Sequence, residues 1–397
     1  MREKSALEVL LTFLQLGLTS FGGPVAHIGY YREEIVVRRR WVDDAAYTEL
    51  VALCQFLPGP ASSQVCFSLG LIRAGYCGGL AAWAGFTLPS AVLMVAFAYG
   101  AGALGGSLGL GLLHGLKLVA VAIVAQAVWG MARTLCPDRQ RAAIAALAAV
   151  LILAAGSSIV QILAIFLGGV GGWWLCRAPS SAPSGALGVP VSRGVGLLSL
   201  VSFGVLLVGL PFLVRLGAGQ GIALFDAFYR SGALVFGGGH VVLPLLRDAV
   251  VTPGWVSDTA FLAGYGAAQA VPGPLFTFAA YLGAVATPPP HRLFGAALGL
   301  VGIFLPGLLI LLGTLPFWNT IRSRQGARAA MHGVNAAVVG VLGAALYTPV
   351  WSSSVHNSAD VSVAIIGFVL LTAWRTPPIV VVGIGAIAGA LLSTFAS

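Results

Sequence analysis

Charged residues are scarce in this sequence. Asp, Glu, Lys and Arg make up only 8% of its 397 residues, whereas soluble proteins carry roughly 25%. So few charges cannot cover a soluble surface, which excludes a soluble globular enzyme. Hydrophobic residues account for 58% of the chain and occur in long runs. The composition therefore predicts an all-α polytopic membrane protein, because a membrane barrel would show short segments of alternating hydrophobicity instead.

Reactive and metal-binding patterns are also missing. The five cysteines fit no metal-binding or disulfide spacing. The sequence has no zinc-peptidase motif, no phosphate-binding P-loop and no serine-hydrolase motif. We therefore expect no enzymatic activity, no cofactor, no metal site and no nucleic-acid partner. A membrane-embedded enzyme or a lipid-handling protein is the rival from another class, and it would need ionisable residues clustered at one membrane depth.

Glycine, in contrast, is abundant. Its 54 residues are nearly twice the usual frequency of about 7%. Small residues let membrane helices approach closely, which predicts a tightly packed bundle. The stretch LGGVGG at 167–172 is one such packing face, with a loosely wound helix end as the alternative.

The chain also contains two similar halves. TSFGGPVAHI at 19–28 resembles LVFGGGHVVL at 234–243, and QFLPGP at 55–60 resembles QAVPGP at 269–274. Further landmarks recur in the same order and at nearly the same spacing: Trp41 and Trp255, Pro89 and Pro306, His114 and His332. The sequence therefore predicts a duplication. It comprises a first repeat at 1–176, a linker with a connecting transmembrane helix at 177–216, and a second repeat at 217–397.

Each repeat is predicted to contain two pairs of short helices followed by longer spans. The hydrophobic runs place the helices at 5–20, 24–37, 43–57, 61–74, 80–100, 110–131, 141–155 and 158–176, and then at 221–235, 240–250, 257–271, 275–286, 293–314, 328–348, 361–374 and 378–395. One additional span at 195–214 connects the repeats. A single connecting span reverses the direction of the second repeat, so we expect inverted topology.

The distribution of positive charge supports this inversion. Cytoplasmic segments of membrane proteins carry an excess of Lys and Arg. With a cytoplasmic N-terminus, sixteen basic residues fall on the cytoplasmic side and four on the outside, namely Arg215, Arg230, Arg247 and Arg292. We therefore expect a cytoplasmic N-terminus and an external C-terminus.

Gly-Gly-Pro and Pro-Gly-Pro segments interrupt the predicted helices at membrane depth. Such interruptions expose backbone groups, so they are tolerated where they line a cavity or are buried in protein. The N-terminal end of a half-helix presents free N–H groups and a partial positive charge, which suits an anion. Inverted repeats with broken helices are typical of secondary transporters. The alternative is that Pro-Gly-Pro only makes tight hairpins.

The predicted anion site consists of these breaks and the hydroxyl groups after them. Ser62 and Ser63 follow the first Pro-Gly-Pro, whereas Phe276 and Thr277 follow the second, so the two half-sites are not chemically equal. The candidate substrate-binding residues are Gly22, Gly23, Gln55, Pro58, Gly59, Pro60, Ser62, Ser63, Gln64, Lys117, Gly237, Gly238, Gly239, Gln269, Pro272, Gly273, Pro274 and Thr277.

Ionisable residues within apolar segments are further functional candidates. Lys117 could complete the charge balance of a bound anion, or it could extend to the interface or bind helix carbonyls. Glu49, His27 and His240 are the candidates for proton coupling. For Glu49 the alternative is an interfacial carboxylate or a partner within a helix pair.

These motifs resemble those of the chromate ion transporter family. The resemblance rests on SFGGPVAHI, RRRW and LCQFLPGP in the first repeat and on VFGGG, GW and AQAVPGPLFTFAAYLG in the second, in this order. It covers nearly the whole chain, as in the long, two-domain members. The resemblance implies an inner-membrane transporter that exports chromate and so confers chromate resistance. It also implies that sulfate is the natural mimic of chromate and that transport is coupled to protons or to the membrane potential.

Together these features predict secondary-active export of an oxyanion dianion by alternating access. The alternatives are a transporter of sulfate or another oxyanion and a passive anion channel of the same fold. The expected partners are a chromate-like or sulfate-like oxyanion and the lipid bilayer. The sequence is also compatible with a homodimer.

Overall fold

The structure is a computed structural model, and it describes residues 5–20, 23–101, 106–155, 158–176, 190–235, 242–287, 289–290, 292–318, 320 and 324–395. Over these residues the chain consists of helices and the turns between them. The predicted all-α class is therefore confirmed for the described part of the chain.

The α-helices are numbered in chain order. Their bounds are α1 Ala6–Thr19, α2 Gly23–Tyr31, α3 Asp44–Phe56, α4 Ala61–Ala101, α5 Gly106–Leu135, α6 Arg139–Ala155, α7 Ser158–Leu175, α8 Arg193–Arg215, α9 Gln220–Ala233, α10 Val242–Val250, α11 Asp258–Ala270, α12 Phe278–Val285, α13 Arg292–Thr314, α14 Gln325–Ala345, α15 Ser358–Thr372 and α16 Pro378–Phe395. Short π-helical segments follow α2 at Arg32–Arg38 and α14 at Leu346–Trp351, and a 3₁₀ turn at Leu275–Thr277 precedes α12.

Several of these helices have the length and composition of membrane spans. Within the described residues, five segments qualify: Ala61–Gly100, His114–Leu135, Arg193–Arg215, Arg292–Phe317 and Gln325–Thr348. An apolar helix of about 20 residues suffices to cross the hydrocarbon core. The chain is therefore a multi-pass helical membrane protein, as the composition predicts.

Helix α4 turns back on itself rather than running straight. Ala74 (φ −142°, ψ 28°) and Gly75 (φ 67°, ψ −159°) have non-helical backbone angles. Across this turn Gly70 and Gly78 meet so closely that a Cβ on either would overlap the carbonyl oxygen of the other. The segment before the turn is about 20 Å long at roughly 1.5 Å per residue, shorter than the ~30 Å hydrocarbon core. The short helix predicted at 61–74 is therefore present.

The helix bounds themselves repeat along the chain. Helices α1 and α9 both have 14 residues, α3 and α11 both have 13, and the two pairs begin at the same spacing along the chain. The N-caps of α3 and α11, Asp43 and Ser257, each accept a hydrogen bond from the backbone amide three positions later. Gly283 and Gly295 pack against each other as Gly70 and Gly78 do. The duplication thus extends from sequence landmarks to helix lengths and contacts.

Backbone contacts divide the chain into two compact units. Unit 1 comprises Met1–Leu93, Pro179–Val242 and Pro272–Arg324, and unit 2 comprises Met94–Ala178, Leu243–Val271 and Gln325–Ser397. Each unit contains segments of both predicted repeats. The repeat boundaries remain a sequence prediction, since the compact units divide the chain in a different way.

Unit 1 is organised around a large apolar core that α1, α3, α4 and α13 share. Phe13, Leu53, Val65 and Leu311 are fully buried in it. Helices α1 and α4 approach closely at Gly17, where a Cβ would lie 2.8 Å from a backbone carbonyl oxygen of α4. Small residues at such crossings let helices pack in lipid.

Unit 2 is organised by glycine contacts between two helix pairs. Gly333 of α14 packs against Gly168 and Gly172 of α7, and Gly115 of α5 packs against Gly385 of α16. A Cβ on Gly333 or on Gly115 would overlap backbone of the neighbouring helix. The interpretation of LGGVGG as a packing face is therefore confirmed.

Each unit also contains one of two equivalent ion pairs. In unit 1 the Arg32 guanidinium lies 2.7 Å from the Asp44 carboxylate, and in unit 2 Arg247 lies 3.0 Å from Asp258. The hydrogen bond from Arg32 lowers the pKa of Asp44. Both pairs join the helical segment that precedes α3 or α11 to the first turn of that helix, so they repeat one structural role.

Candidate functional site

The first Pro-Gly-Pro forms a sharp turn between α3 and α4. Gly59 has φ +114°, a conformation that residues with a Cβ rarely adopt. A Cβ there would also lie 2.8 Å from the Cα of Gly307 on α13. The Gly59 amide donates a hydrogen bond of 2.7 Å to the carbonyl of Val235, which lies just after α9. Backbone contacts therefore fix this turn.

The second Pro-Gly-Pro forms a similar turn before the 3₁₀ segment. Gly273 has φ +99°, and a Cβ on it would lie 2.9 Å from the Ser90 hydroxyl oxygen. Its amide donates a hydrogen bond of 2.9 Å to the carbonyl of Ser20, directly after α1.

The two turns make equivalent contacts. Val235 occupies the position in the second repeat that Ser20 occupies in the first, and Gly307 likewise matches Ser90. Each Pro-Gly-Pro therefore contacts the other repeat at two places. One lies just after the first helix of that other repeat, and the second lies on the long, proline-containing helix of that repeat. All of these residues belong to unit 1.

Hydroxyl groups follow each turn inside the protein. Ser62, Ser63 and Thr277 are all buried. The Thr277 hydroxyl donates to the carbonyl of Pro274 at 2.9 Å, whereas the Ser63 hydroxyl has no partner among the residues the structure describes. The predicted inequality of the half-sites thus extends to the hydrogen bonding of Ser63 and Thr277.

Gln64 has a bridging contact that the sequence did not indicate. Its Nε2 donates to the carbonyls of Pro58 and Gly307, both at 2.9 Å. Its Oε1 is buried without a partner in the described part of the chain. Gln64 therefore ties the first turn to α13 and keeps one acceptor unused.

His27 lies fully buried in an aromatic cluster. Its ring centroid is 5.1 Å from that of Phe86 and 6.5 Å from that of Tyr31. Neither ring nitrogen has a partner with hydrogen-bond geometry within the described ranges, and the same holds for the hydroxyls of Ser20 and Thr87. The second turn contacts Ser20, so polar groups without partners are concentrated beside it.

The other unit 1 candidates have more ordinary surroundings. Glu49 is partly buried and accepts a hydrogen bond of 2.6 Å from Trp318 Nε1. Gln55 is exposed near the end of α3. Gly23 begins α2 with φ +78° and has open space around it. Trp318 was missed from the sequence because it lies outside both repeated motifs.

Lys117 and Gln269 belong to unit 2. Lys117 Nζ donates to the hydroxyl of Thr259 at 3.1 Å. Gln269 is partly buried, and its Nε2 has no partner among the described residues. The remaining candidates, Gly22, Gly237, Gly238, Gly239 and His240, lie outside the described residues.

The RRRW segment is part of a charged network in unit 1. The guanidinium groups of Arg39 and Arg73 lie 5.7 and 5.1 Å from the ring centre of Trp41. Glu8 accepts from Arg73 at 3.0 Å, and Glu34 accepts from Arg39 at 2.7 Å. The arginines are thus paired with carboxylates and an aromatic face.

The apolar spans and the paired turns define a class of protein, a multi-pass helical membrane protein with an internal duplication. The chain belongs to the chromate transporter family, whose model matches residues 7–173 and again residues 222–390. This double match agrees with the long, two-domain form. Members of the family are transporters rather than enzymes, so the prediction of no enzymatic activity is confirmed.

Individual relatives are similar over most of their length. A chromate transport protein of Pseudomonas aeruginosa is 29% identical over 390 residues, which cover 94% of this chain and 89% of that protein. A probable chromate transport protein of Synechococcus elongatus is 27% identical, with 96% and 93% covered. A chromate transport protein of Cupriavidus metallidurans is 25% identical, with 84% and 80% covered. No solved structure gives a significant match.

Proposed function

We propose that this protein exports chromate across the inner membrane by secondary-active alternating access and so confers chromate resistance. Family membership supports chromate transport. The observation that supports the proposed anion site is the reciprocal pair of hydrogen bonds, from Gly59 to Val235 and from Gly273 to Ser20. Each bond ties one Pro-Gly-Pro turn to the end of the first helix of the other repeat, within unit 1.

The chemistry of these turns suits a dianion. A buried anion needs donors around it, because an unpaired charge in an apolar interior is very costly. The first residues of α4 offer backbone N–H groups without intrahelical partners, together with the partial positive charge of a helix N-terminus. Ser63 adds a buried hydroxyl without a partner in the described chain. Donors without formal charge hold an oxyanion while leaving it free to dissociate.

Lys117 is proposed to add positive charge on the substrate's route. Its hydrogen-bond acceptor, the Thr259 hydroxyl, is neutral. The Asp258 carboxylate attracts the Lys117 charge, but it is paired with Arg247. Its charge is therefore available to an anion.

The proposed topology is a pair of inverted repeats with a cytoplasmic N-terminus and an external C-terminus. The arginine distribution supports this orientation, and exposed tryptophans mark the membrane interfaces, where aromatic residues concentrate on both sides. Trp129, Trp174 and Trp374 are 56%, 72% and 75% exposed. Each lies at the C-terminal end of an apolar helix, shortly before an arginine that the charge distribution places in the cytoplasm.

Coupling is proposed to use protons or the membrane potential, with Glu49, His27 and His240 as candidate proton carriers. Sulfate is expected to compete, because it shares the tetrahedral shape and double negative charge of chromate. The proposal includes a homodimer in the bilayer, which cross-linking in native membranes would detect.

The decisive experiment measures uptake of labelled chromate into inside-out vesicles, with and without a proton gradient and with sulfate as competitor. Saturable uptake that responds to the gradient or to an imposed potential is the expected result. Flux that follows the potential without saturation would instead indicate a passive anion channel. Vesicles that contain folded protein but take up no chromate would refute the proposal.

A further inference from the structure

Unit 2 contains a cavity of about 150 Å³ that the proposed anion site does not use. It lies between α6, α7, α10 and the end of α14. Its polar lining consists of Gln161, Arg247, Asp248 and Thr348, and Ala344 and Ala345 line it from α14. A cavity of this size holds an ion and several waters, because one water needs only roughly 10–15 Å³.

Gln161 lines this cavity and has an unused acceptor. It is 7% exposed, and its Nε2 donates to Asp248 Oδ2 at 3.1 Å. Because the amide nitrogen is held by the carboxylate, the amide oxygen must face another way. Gln161 Oε1 is buried and has no partner within the described ranges. A buried acceptor without a donor calls for a ligand with positive charge or a proton to share.

The end of α14 contributes a second kind of oxygen. The α-helix ends at Ala345, and Thr348 has extended backbone angles (φ −126°, ψ 116°) within the following π-helical segment. Pro349 has no backbone N–H, so the α-helical hydrogen bond to the carbonyl of Ala345 cannot form, and the helical donor left to that carbonyl is the Val350 N–H of the π-helical segment. A carbonyl oxygen has two lone pairs, and helix C-termini carry a partial negative charge. This end of the cavity therefore favours a cation.

Arg247 does not oppose a cation there, because its charge is already paired. Its Nε and Nη2 donate to the two carboxylate oxygens of Asp258 at 3.0 and 3.3 Å. The polar groups that the remaining lining residues bring are the Asp248 carboxylate, the Gln161 amide oxygen, the Thr348 hydroxyl and the Ala345 carbonyl. Hard cations prefer such sets of oxygen ligands.

We propose that this cavity binds a sodium ion, held by the carboxylate of Asp248, the amide oxygen of Gln161, and the hydroxyl and carbonyl oxygens at the end of α14. Sodium suits the set better than a proton does. A proton on Asp248 would neutralise one carboxylate oxygen, whereas Gln161 Oε1 would stay without a partner. Interrupted helices of secondary transporters bind sodium through unwound carbonyls in the same way.

The position of the cavity gives the ion a role, and this step rests on the proposed function. Ile152 and Leu153 line it near the end of α6, and Gln161 lies near the start of α7. The connection between these two helices is external in the proposed topology. Sodium would therefore enter from outside, where it is concentrated, and its binding energy would be coupled to movement of the oxyanion.

The test is equilibrium binding of ²²Na⁺ to the purified full-length protein in lipid nanodiscs, without any oxyanion. We expect saturable binding that Gln161→Leu and Asp248→Asn each weaken at least about tenfold, since losing an oriented polar partner typically costs about 10–100-fold in metal affinity. Asp226→Asn is the matched control. It removes a buried carboxylate outside the cavity, one that accepts from Arg230, and the variant is expected to bind sodium as the parent does.

The contrary result is equally clear. Folded protein, checked by gel filtration, that shows no saturable sodium binding would overturn the inference, as would sodium binding that both variants retain. Chromate uptake with and without sodium separates this failure from failure of the proposed function. Chromate transport without sodium binding refutes the cation site alone, whereas sodium binding without chromate transport refutes the proposed export alone.

Discussion

Gly273 donates its backbone N–H to the carbonyl of Ser20 at 2.9 Å, across more than half of the sequence. The equivalent glycine, Gly59, makes the equivalent bond to Val235 at 2.7 Å. Any residue except proline supplies this backbone N–H, so the two bonds depend mainly on the shape of the turns. Its strength can nevertheless be tested by substituting the glycines.

Gly59→Ala is expected to destabilise the protein. The substitution adds a Cβ at φ +114° and places it 2.8 Å from the backbone of Gly307. Residues held in such backbone regions cost about 1–3 kcal/mol. Thermal unfolding in detergent should show a lower Tm. Gly130→Ala is the control, because open space surrounds that helical glycine. An unchanged Tm for Gly59→Ala would contradict the assigned turn.

Gln64→Leu is expected to loosen the contact between the first turn and α13. Leucine keeps the approximate volume but removes the donor to the carbonyls of Pro58 and Gly307. Leaving buried acceptors without a donor costs about 1–3 kcal/mol. The measurement is again thermal unfolding, compared with Gln140→Leu on the exposed side of α6. Equal stability of the two variants would show that the bridge contributes nothing.

Gly333→Ala and Gly343→Ala should have opposite effects, although both lie in α14. A Cβ on Gly333 overlaps backbone of α7, whereas Gly343 has open space around it. Overpacking costs about 1–3 kcal/mol, while replacing an unconstrained helical glycine by alanine gains roughly 0.5–1 kcal/mol. Unfolding measurements that rank Gly333→Ala as the more stable variant would argue against the α7–α14 contact.

Ser63→Ala and Thr277→Val should separate substrate binding from local structure. The Ser63 hydroxyl has no partner in the described chain, whereas that of Thr277 is held by Pro274. Loss of a hydrogen bond to a charged ligand costs about 1.5–3 kcal/mol, so Ser63→Ala should raise the KM for chromate about tenfold or more. Thr277→Val should lower stability with little change in KM. Vesicle uptake at varied chromate concentration distinguishes the two variants. The reverse pattern would indicate that the substrate binds at the second turn instead.

Glu49→Gln tests proton coupling while keeping the contact with Trp318. The glutamine side chain still offers an oxygen to Trp318 Nε1, the donor at 2.6 Å, but it cannot bind and release a proton. If Glu49 carries the proton, accumulation driven by a pH gradient is lost while downhill chromate flux continues. A variant that accumulates chromate as the parent does excludes Glu49 from coupling.

Much of the fold could be predicted because its helix ends have local causes. The predicted helix at 43–57 is observed as Asp44–Phe56, since Asp43 caps its start and Pro58 prevents its continuation. The next helix was predicted to begin at residue 80, which is several residues too far along the chain. The turn at Ala74 and Gly75 contains no proline to mark the true start. Local signals therefore locate helices well where capping residues and prolines occur.

The candidate site could be predicted only in part. Pro-Gly-Pro and the following hydroxyls were visible as motifs, but the exchange between the repeats depends on tertiary packing. Pro89 and Pro306 matched as landmarks, but nothing in the sequence marked the residues that follow them, Ser90 and Gly307, as contacts of the turns. No local pattern joins Lys117 to Thr259, because the two residues are 142 positions apart.

The reciprocal hydrogen bonds also set an order for biosynthesis. Val235 is made long after Gly59, and at about 5–20 residues per second the ribosome needs roughly 10 to 35 s to reach it. The first turn therefore waits for its acceptor after it has been made. During that interval an interrupted helix without its partner is poorly tolerated in lipid. We expect the nascent first half to stay with the insertion machinery until the second half emerges, so that membrane integration is completed late and all at once.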